Sequence, residues 1–449
     1  MHNKVYKKID VLNQSLWSGI FLFSIPLILS NLLQVLFNMA DVCVVGKFAG
    51  SLALGAVGST TVLITLTTGL LIGMGSGVNA VVALYLGAKD NKNVSKAIQS
   101  SFVISFVMGL LLMALFILFS KSILLSMGTK NELIDDALLY YRIYLLGTPA
   151  LSLYNFSGSV ISASGDTKRP LKFLSIGGLV NIILNLIFVI IFKMSVVGVA
   201  IASIVSQYLS SYLCMNHIIK TKENFNLNLK ELKIDRVMAL RVLAIGIPSA
   251  IQYALFSFAN LFVQSAVNSF SHIFVEGNAA AVNGESILFQ MMDAIYIAST
   301  TFIAQNLGAK NKNRILKAYW ICIFYSSFLG LIGGVLIYFF RYPFLSLFTN
   351  DIEVIEAGTA RIIVMLLSLW ISPFMDCSAA CSRGLGKGIM PALFIILGTV
   401  VFRLIWIFYV FPNNHNIFTL YYLFPISWII TGIMETIYFF YCFKKIKFT

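Results

Sequence analysis

Leu86-Gly87-Ala88-Lys89, followed by an Asn/Lys cluster and Lys96-Ala97, returns 221 residues later as Leu307-Gly308-Ala309-Lys310, an Asn/Lys/Arg cluster and Lys317-Ala318. Other landmarks recur at about the same distance: Ile25-Pro26 as Ile247-Pro248, Pro149 as Pro373, Gly165 as Gly386, and Pro170 as Pro391. The chain is therefore a long internal duplication, and the nature of the copies follows from what lies between these marks.

What lies between them is apolar. Hydrophobic residues make up 59% of the 449 residues and charged residues 11%, with a mean hydropathy of +0.88, a composition that excludes a water-soluble domain. A helix of about 20 apolar residues crosses a hydrocarbon core of about 30 Å. Twelve such runs are predicted, at 17–45, 53–86, 95–120, 137–163, 170–192, 196–219, 240–268, 279–306, 315–340, 355–381, 391–412 and 418–443. Because the runs are continuous and do not alternate with period two, they exclude a transmembrane barrel. The expected fold class is an all-α polytopic membrane protein, its twelve helices arranged as two six-helix lobes. The expected domains are an N-lobe at 1–219, a cytoplasmic linker at 220–238, rich in Lys, Glu and Asn, and a C-lobe at 239–449.

The net charge of +14 has a topological reading. One set of alternate loops and ends carries 24 Lys and Arg and the other carries five, Lys47, Lys121, Lys130, Lys193 and Arg341. This asymmetry places both termini in the cytoplasm of a bacterial-type plasma membrane and leaves nucleic acid no role as a partner. An even number of helices per copy puts both Leu-Gly-Ala-Lys turns on the cytoplasmic side, so the repeat is parallel, about a pseudo-two-fold axis along the membrane normal. Duplicated membrane proteins of this kind are commonly transporters. No segment is long enough for an ATPase module, so the driving energy would come from an ion gradient, with a small-molecule organic substrate, the lipid bilayer as surroundings and a functional monomer.

Ionisable and strongly polar groups inside apolar spans are costly, so each is a functional candidate. On the first run Asn31, Gln34, Asn38 and Asp41 are spaced three, four and three apart and share one helical stripe. Asn181 and Asn185 lie four apart on the fifth run, with Asn155 on the fourth. An amide can donate to an ionised carboxylate, accept from a protonated one, or offer its carbonyl to Na+. Asp41, Asn38, Gln34, Asn155, Asn181 and Asn185 are thus the cation-coupling candidates, while packing of helices through Asn hydrogen bonds is the alternative. The second copy has no such set, since Asp41 falls opposite Val263, Asn181 opposite Phe402 and Asn185 opposite Trp406. It carries Glu285, Asp293, Asp376 and Arg403 as substrate or cleft candidates. Asp376 and Glu285 are the expected partners of Arg403, which reads as almost the only deeply placed basic residue. Glu435 reads as structural or near the cytoplasmic interface.

Catalytic chemistry finds no support: His2 is terminal, His272 and His415 fall in loops, His217 ends the sixth run, and no phosphate loop or nucleophile elbow occurs. An enzyme is not expected. The six cysteines lie in or at the ends of spans without a Cys-x-x-Cys pair, so neither a metal site nor a disulfide framework is expected, and no cofactor beyond the coupling ion.

Several stretches together resemble the multidrug and toxic compound extrusion (MATE) family, of the multidrug, oligosaccharidyl-lipid and polysaccharide flippase superfamily. They are Ile25-Pro26 through Asn38-Met39-Ala40-Asp41-Val42 and Val45-Gly46, the Leu86-Gly87-Ala88-Lys89 turn, Ser164-Gly165-Asp166 to Pro170, Asn181 to Asn185, Gln305-Asn306-Leu307-Gly308-Ala309-Lys310, and Arg383-Gly384-Leu385-Gly386. The resemblance covers essentially the whole chain. It implies a V-shaped pair of six-helix lobes exporting organic cations and other amphipathic compounds in exchange for H+ or Na+. The family's coupling carboxylate on the first helix matches Asp41, and its helpers on the fifth match Asn181 and Asn185. Two departures leave fewer carboxylates: Leu255 stands where many relatives have an acid, and Asn185 where some have Asp. The expectation is a rocker-switch antiporter with H+ ahead of Na+ as the coupling ion. A flippase for lipid-linked oligosaccharides of the same superfamily is the alternative.

Overall fold

The computed structural model describes residues 8–446; His2, Lys4, Lys7 and Lys447 lie outside them. Among the described residues every regular element is helical, as backbone groups in hydrocarbon require when no sheet closes into a barrel. The first repeat comprises α1 (Leu16–Phe48), α2 (Ser51–Gly87), α3 (Asn91–Ser126), α4 (Asn131–Leu145), α5 (Thr148–Ala163), α6 (Lys168–Leu186, continued by a π-helical turn to Ile191) and α7 (Ser195–Lys220). The second comprises α8 (Arg236–Val267), α9 (His272–Gly308), α10 (Lys312–Phe339), the short α11 (Arg341–Leu345), α12 (Ile352–Arg361), α13 (Pro373–Gly384), α14 (Ile389–Ile395), α15 (Phe402–Ile405) and α16 (Ile417–Lys445). Large apolar side chains such as Leu118 (73% exposed) and Phe339 (71%) point outward, as expected where the surroundings are lipid.

Eleven helical stretches among the described residues are long and apolar enough to cross a membrane, against twelve predicted runs. The difference is the fourth run, which is broken into α4 and α5. Pro149, at the second position of α5, has no N–H to return to the preceding turn. The carbonyl of Leu146 at the break accepts the Tyr208 hydroxyl at 3.1 Å instead. Gly147 fits there because a Cβ would lie 2.2 Å from Oε1 of Gln207. The second repeat is also irregular at the matching place. After α12 the chain passes through a π-helical turn (Ile362–Leu366) and a 3-10 turn (Leu369–Ile371) before α13 restarts at Pro373.

The repeated turn has one backbone solution in both copies. Lys89 and Lys310 adopt the left-handed conformation, at φ 56 and 57°, which costs a non-glycine residue about 1–2 kcal/mol. The turn closes α2 and α9 with N–H groups reaching back five residues, Asp90 to Tyr85 O at 3.1 Å and Asn311 to Asn306 O at 2.9 Å. It then opens the next helix, because the Asp90 carboxylate caps Asn93 N–H at 3.1 Å and the Asn311 amide caps Arg314 N–H at 3.2 Å.

Two structural units emerge. One contains Leu29–Ala250, the other Asp10–Ile28 together with residues 251–446. Each unit takes in part of a helix from the opposite half of the sequence, and the changeovers fall within three residues of Pro26 and Pro248. In the second unit the start of α1 is held by Trp17 against Phe324 and Tyr325, by Phe23 against Phe302, and by Arg314, which donates to the carbonyls of Val11 and Gln14 at 3.0 and 2.9 Å. In the first unit the start of α8 lies on α2 with backbones nearly touching: a Cβ on Gly73 would sit 2.4 Å from Ala250 N, and one on Gly77 2.5 Å from Val242 O.

The polar segment between α7 and α8 is anchored on the first unit. Phe225 and Leu227 are buried, and Asp235 pairs with Lys96 at 2.7 Å while capping Val237 and Met238 N–H. The hydrogen bond from the Lys96 ammonium, aided by the caps, holds the Asp235 carboxyl below the usual carboxylate range.

Candidate functional site

α6 brings the first unit's polar residues together. Gly177 and Gly178 let it approach a neighbour on either side: a Cβ on Gly177 would meet Ser210 Oγ of α7 at 2.0 Å, and one on Gly178 the Phe37 ring of α1 at 1.9 Å. About one turn further on, Asn181 and Asn185 face the groove between α1 and α7 that this approach creates. Asn185 is 0% exposed and Asn181 4%, whereas Asp41 on α1 is half-buried.

Four side chains then close a ring. Asn185 Nδ2 donates to Asp41 Oδ1, and also to Asn181 Oδ1 at 3.2 Å. Asn181 Nδ2 donates to Ser203 Oγ at 3.5 Å, and Ser203 Oγ donates to Asp41 Oδ2 at 3.2 Å. Each oxygen of Asp41 thus receives a donor, the arrangement suited to an ionised carboxylate. One acceptor in the ring is unused: Asn185 Oδ1 is buried without a hydrogen-bond partner. Tyr140 and Tyr144 of α4 lie within electrostatic reach of Asp41.

Ser203, Tyr140 and Tyr144 were not singled out from the sequence. A lone serine in an apolar span is an ordinary packing residue, and it acquires meaning only through α6. Of the other candidates in this half, Asn155 donates to its own helix at Leu151 O, 2.9 Å away, and does not join the ring. Gln34 and Asn38 share the stripe of Asp41 but are exposed.

The second unit carries a different constellation. Glu285 of α9, 9% exposed, receives Nε and Nη2 of Arg361 on one oxygen, at 3.0 and 2.7 Å. Arg361 Nη1 donates to Asn278 Oδ1 at 2.8 Å, and that oxygen also receives the Tyr421 hydroxyl at 3.0 Å. Arg361 was overlooked in the sequence because it sits at the polar start of a span, and it corrects the reading of Arg403 as almost the only deep basic residue. Arg383, 9% exposed, is a third buried arginine.

The partners expected for Arg403, Glu285 and Asp376, act on it electrostatically and without a hydrogen bond. Arg403 is 1% exposed and hydrogen-bonds neither Glu285 nor Asp376. Its Nη1 donates to Asn260 Oδ1 at 3.2 Å, and its guanidinium stacks on Phe256 and Phe424 at 4.9 and 4.4 Å. Glu285 is already committed to Arg361. Glu285 and Asp293, two turns apart on α9, differ in surroundings, since Asp293 lies near Tyr253 and Arg383. Asp376 and Asp293 interact electrostatically with Arg383. Glu435, read as near an interface, is 0% exposed, with neither carboxyl oxygen hydrogen-bonded and with Arg383 and Asp376 of α13 acting on it.

A duplicated bundle of apolar helices, with a hydrogen-bonded carboxylate ring in one unit and a buried ion pair in the other, defines a multi-pass membrane transporter. The MatE family profile matches residues 26–187 and again 248–408, and the chain belongs to this family. It is 27% identical over 402 residues, 86% of each chain, to the probable multidrug resistance protein YoeA of Bacillus subtilis. It is 26% identical over 356 residues, 76% of each chain, to an FAD transporter of Shewanella oneidensis. Its fold superposes on the outward-facing conformation of a multidrug resistance MATE transporter with a TM-score of 0.91 at 22% identity, covering 99% of this chain and 100% of the other.

Proposed function

We propose that this protein is an antiporter that exports amphipathic or cationic organic compounds by alternating access, driven by H+ in preference to Na+. Its place is a bacterial-type plasma membrane, with both termini cytoplasmic and the monomer as the working unit. The ring around Asp41 carries this reading. A proton on Asp41 would turn an acceptor into a donor, and the unused Asn185 Oδ1 is an acceptor for it once the amide turns over. A hard cation needs several oxygens at once. Here both Asp41 oxygens and Asn181 Oδ1 already accept hydrogen bonds, which favours the proton.

Coupling needs only that proton and substrate stabilise different conformations. The relatives' names span drug resistance and FAD, so the cargo class is broad. The flippase alternative requires a basic interior. Three buried arginines lend it some support, but Glu285, Asp293, Asp376 and Glu435 share the unit with them and cancel the excess.

The test is transport in proteoliposomes with ethidium as probe, under imposed proton or sodium gradients. The wild type should accumulate dye on a proton gradient, and Asp41→Asn should lose gradient-driven transport while remaining folded. Full proton-driven accumulation by Asp41→Asn, or a response to sodium alone, would overturn the assignment.

A further inference from the structure

The side-on edge of a guanidinium, Nε with Nη2, is the pair of donors that matches the two oxygens of a carboxylate. The second unit buries two such edges a short way apart. Arg361 commits its edge to Glu285 and its remaining Nη1 to Asn278. Arg403 commits only Nη1, to Asn260, while its Nε and Nη2 are buried with no hydrogen-bond partner. A buried donor left unmade is destabilising, and a charged one inside a bilayer more so. A leucine at this position would pack without that penalty, so the arginine needs a reason.

Packing does not supply one, because the surroundings hold the guanidinium in place without filling its edge. Asn260 fixes one nitrogen, and Phe256, one turn earlier on the same face of α8, covers the ring-like plane together with Phe424 of α16. The nearby acids do not reach it. Glu285 is held by Arg361, and both Glu285 and Asp376 act on Arg403 only through their fields. The result is an oriented cation with a carboxylate-shaped face and aromatic walls.

We propose that the Nε and Nη2 edge of Arg403 binds a carboxylate on the exported amphipath, with Phe256 and Phe424 against its apolar body. Exported compounds with a free carboxylate would then owe part of their affinity to Arg403. This rests on the alternating-access reading, since Arg403 is 1% exposed in the conformation described and a ligand reaches it in another state of the cycle.

The test compares rhodamine B, which has a free carboxylate, with its ethyl ester, which has the same chromophore and none. Both are offered to wild type, Arg403→Gln and Arg403→Lys in proteoliposomes under one gradient. Arg403→Gln should lower transport of the acid by about tenfold or more, the factor that one charge-assisted hydrogen bond corresponds to, and leave the ester nearly unchanged. Arg403→Lys keeps the charge but not the edge, and should lose most of the same discrimination. An equal fall for both dyes, or no fall for the acid, would overturn the proposal.

Fluorescence anisotropy on detergent-purified protein gives a second reading that does not depend on transport. The acid should bind wild type more tightly than the ester, and Arg403→Gln should abolish the difference; equal binding of both dyes to wild type counts against the site. Asp41→Asn should impair transport of both dyes alike. Failure of wild type to move either dye on any gradient would count against the antiport reading, while anisotropy still decides the role of Arg403.

Discussion

Breaking a buried ion pair at one end costs more than removing both ends, because the survivor keeps its desolvation penalty without its partner. Arg361 and Glu285 allow this to be measured. Arg361→Leu alone should destabilise the protein by about 3–5 kcal/mol. The double variant Arg361→Leu/Glu285→Leu should recover most of the loss in thermal unfolding of the purified protein in detergent. Equal stability of the single and double variants would show that the pair is not desolvated as its burial implies. At this scale the sequence was only partly legible. Asp41, Asn181, Asn185 and Glu285 stood out because a polar group in an apolar span is conspicuous. Ser203 and Arg361 did not, the first because serine is common in helices that pack closely and the second because it lies where a span begins. Asn155 stood out equally, yet its amide is spent on its own helix.

Among the elements, α2 shows how glycine sets the distance between helices. The helix that approaches Gly73 and Gly77 is not readable from the sequence, because α8 begins some 160 residues later in the chain. A Cβ at Gly77 would lie 2.5 Å from Val242 O, a backbone atom that cannot swing aside. Gly77→Ala should therefore cost about 1–3 kcal/mol of stability through overpacking. Gly58 lies on the same helix with nothing within 4 Å of its missing Cβ. Gly58→Ala should be neutral or stabilising by about 0.5–1 kcal/mol, as an added methyl in a helix normally is. The two variants differ only in what the methyl meets, so similar melting temperatures for both would contradict the contact. The break between α4 and α5 teaches the converse. Hydropathy saw one span, because averaging over apolar residues does not register a missing N–H at Pro149.

For the whole molecule, the duplication makes a prediction about sidedness. If the repeat is parallel, the two Leu-Gly-Ala-Lys turns face the same compartment. In a Cys43→Ala background, the remaining cysteines being buried, single cysteines at Lys92 and Lys312 should react with an impermeant maleimide only after intact cells are opened. Cysteines at Lys130 and Lys193 should react from outside. Labelling of Lys92 and Lys312 from opposite faces would rule out the parallel repeat and with it the cytoplasmic placement of the termini. The changeover of α1 and α8 between units also belongs to this scale. Pro26 and Pro248 are visible in the sequence as a repeated landmark, and the division of each helix between two packing environments beside its proline is not.

The amino-acid sequence by itself determined the solvent, the helical class and the duplication. These depend on composition, on run length set against bilayer thickness, and on turn chemistry repeated at a fixed offset, all of which are local properties of the chain. Tertiary structure alone decided which polar groups meet. The meeting of Asp41 with Asn185 spans 144 residues, and that of Glu285 with Arg361 spans 76. Such contacts depend on the rotation and separation of packed helices, which small residues such as Gly177 and Gly178 set to within a methyl group. The repeated Leu-Gly-Ala-Lys turn was conserved between the two copies because the same backbone has to be closed twice. The polar interiors are free of that constraint, and there the copies differ.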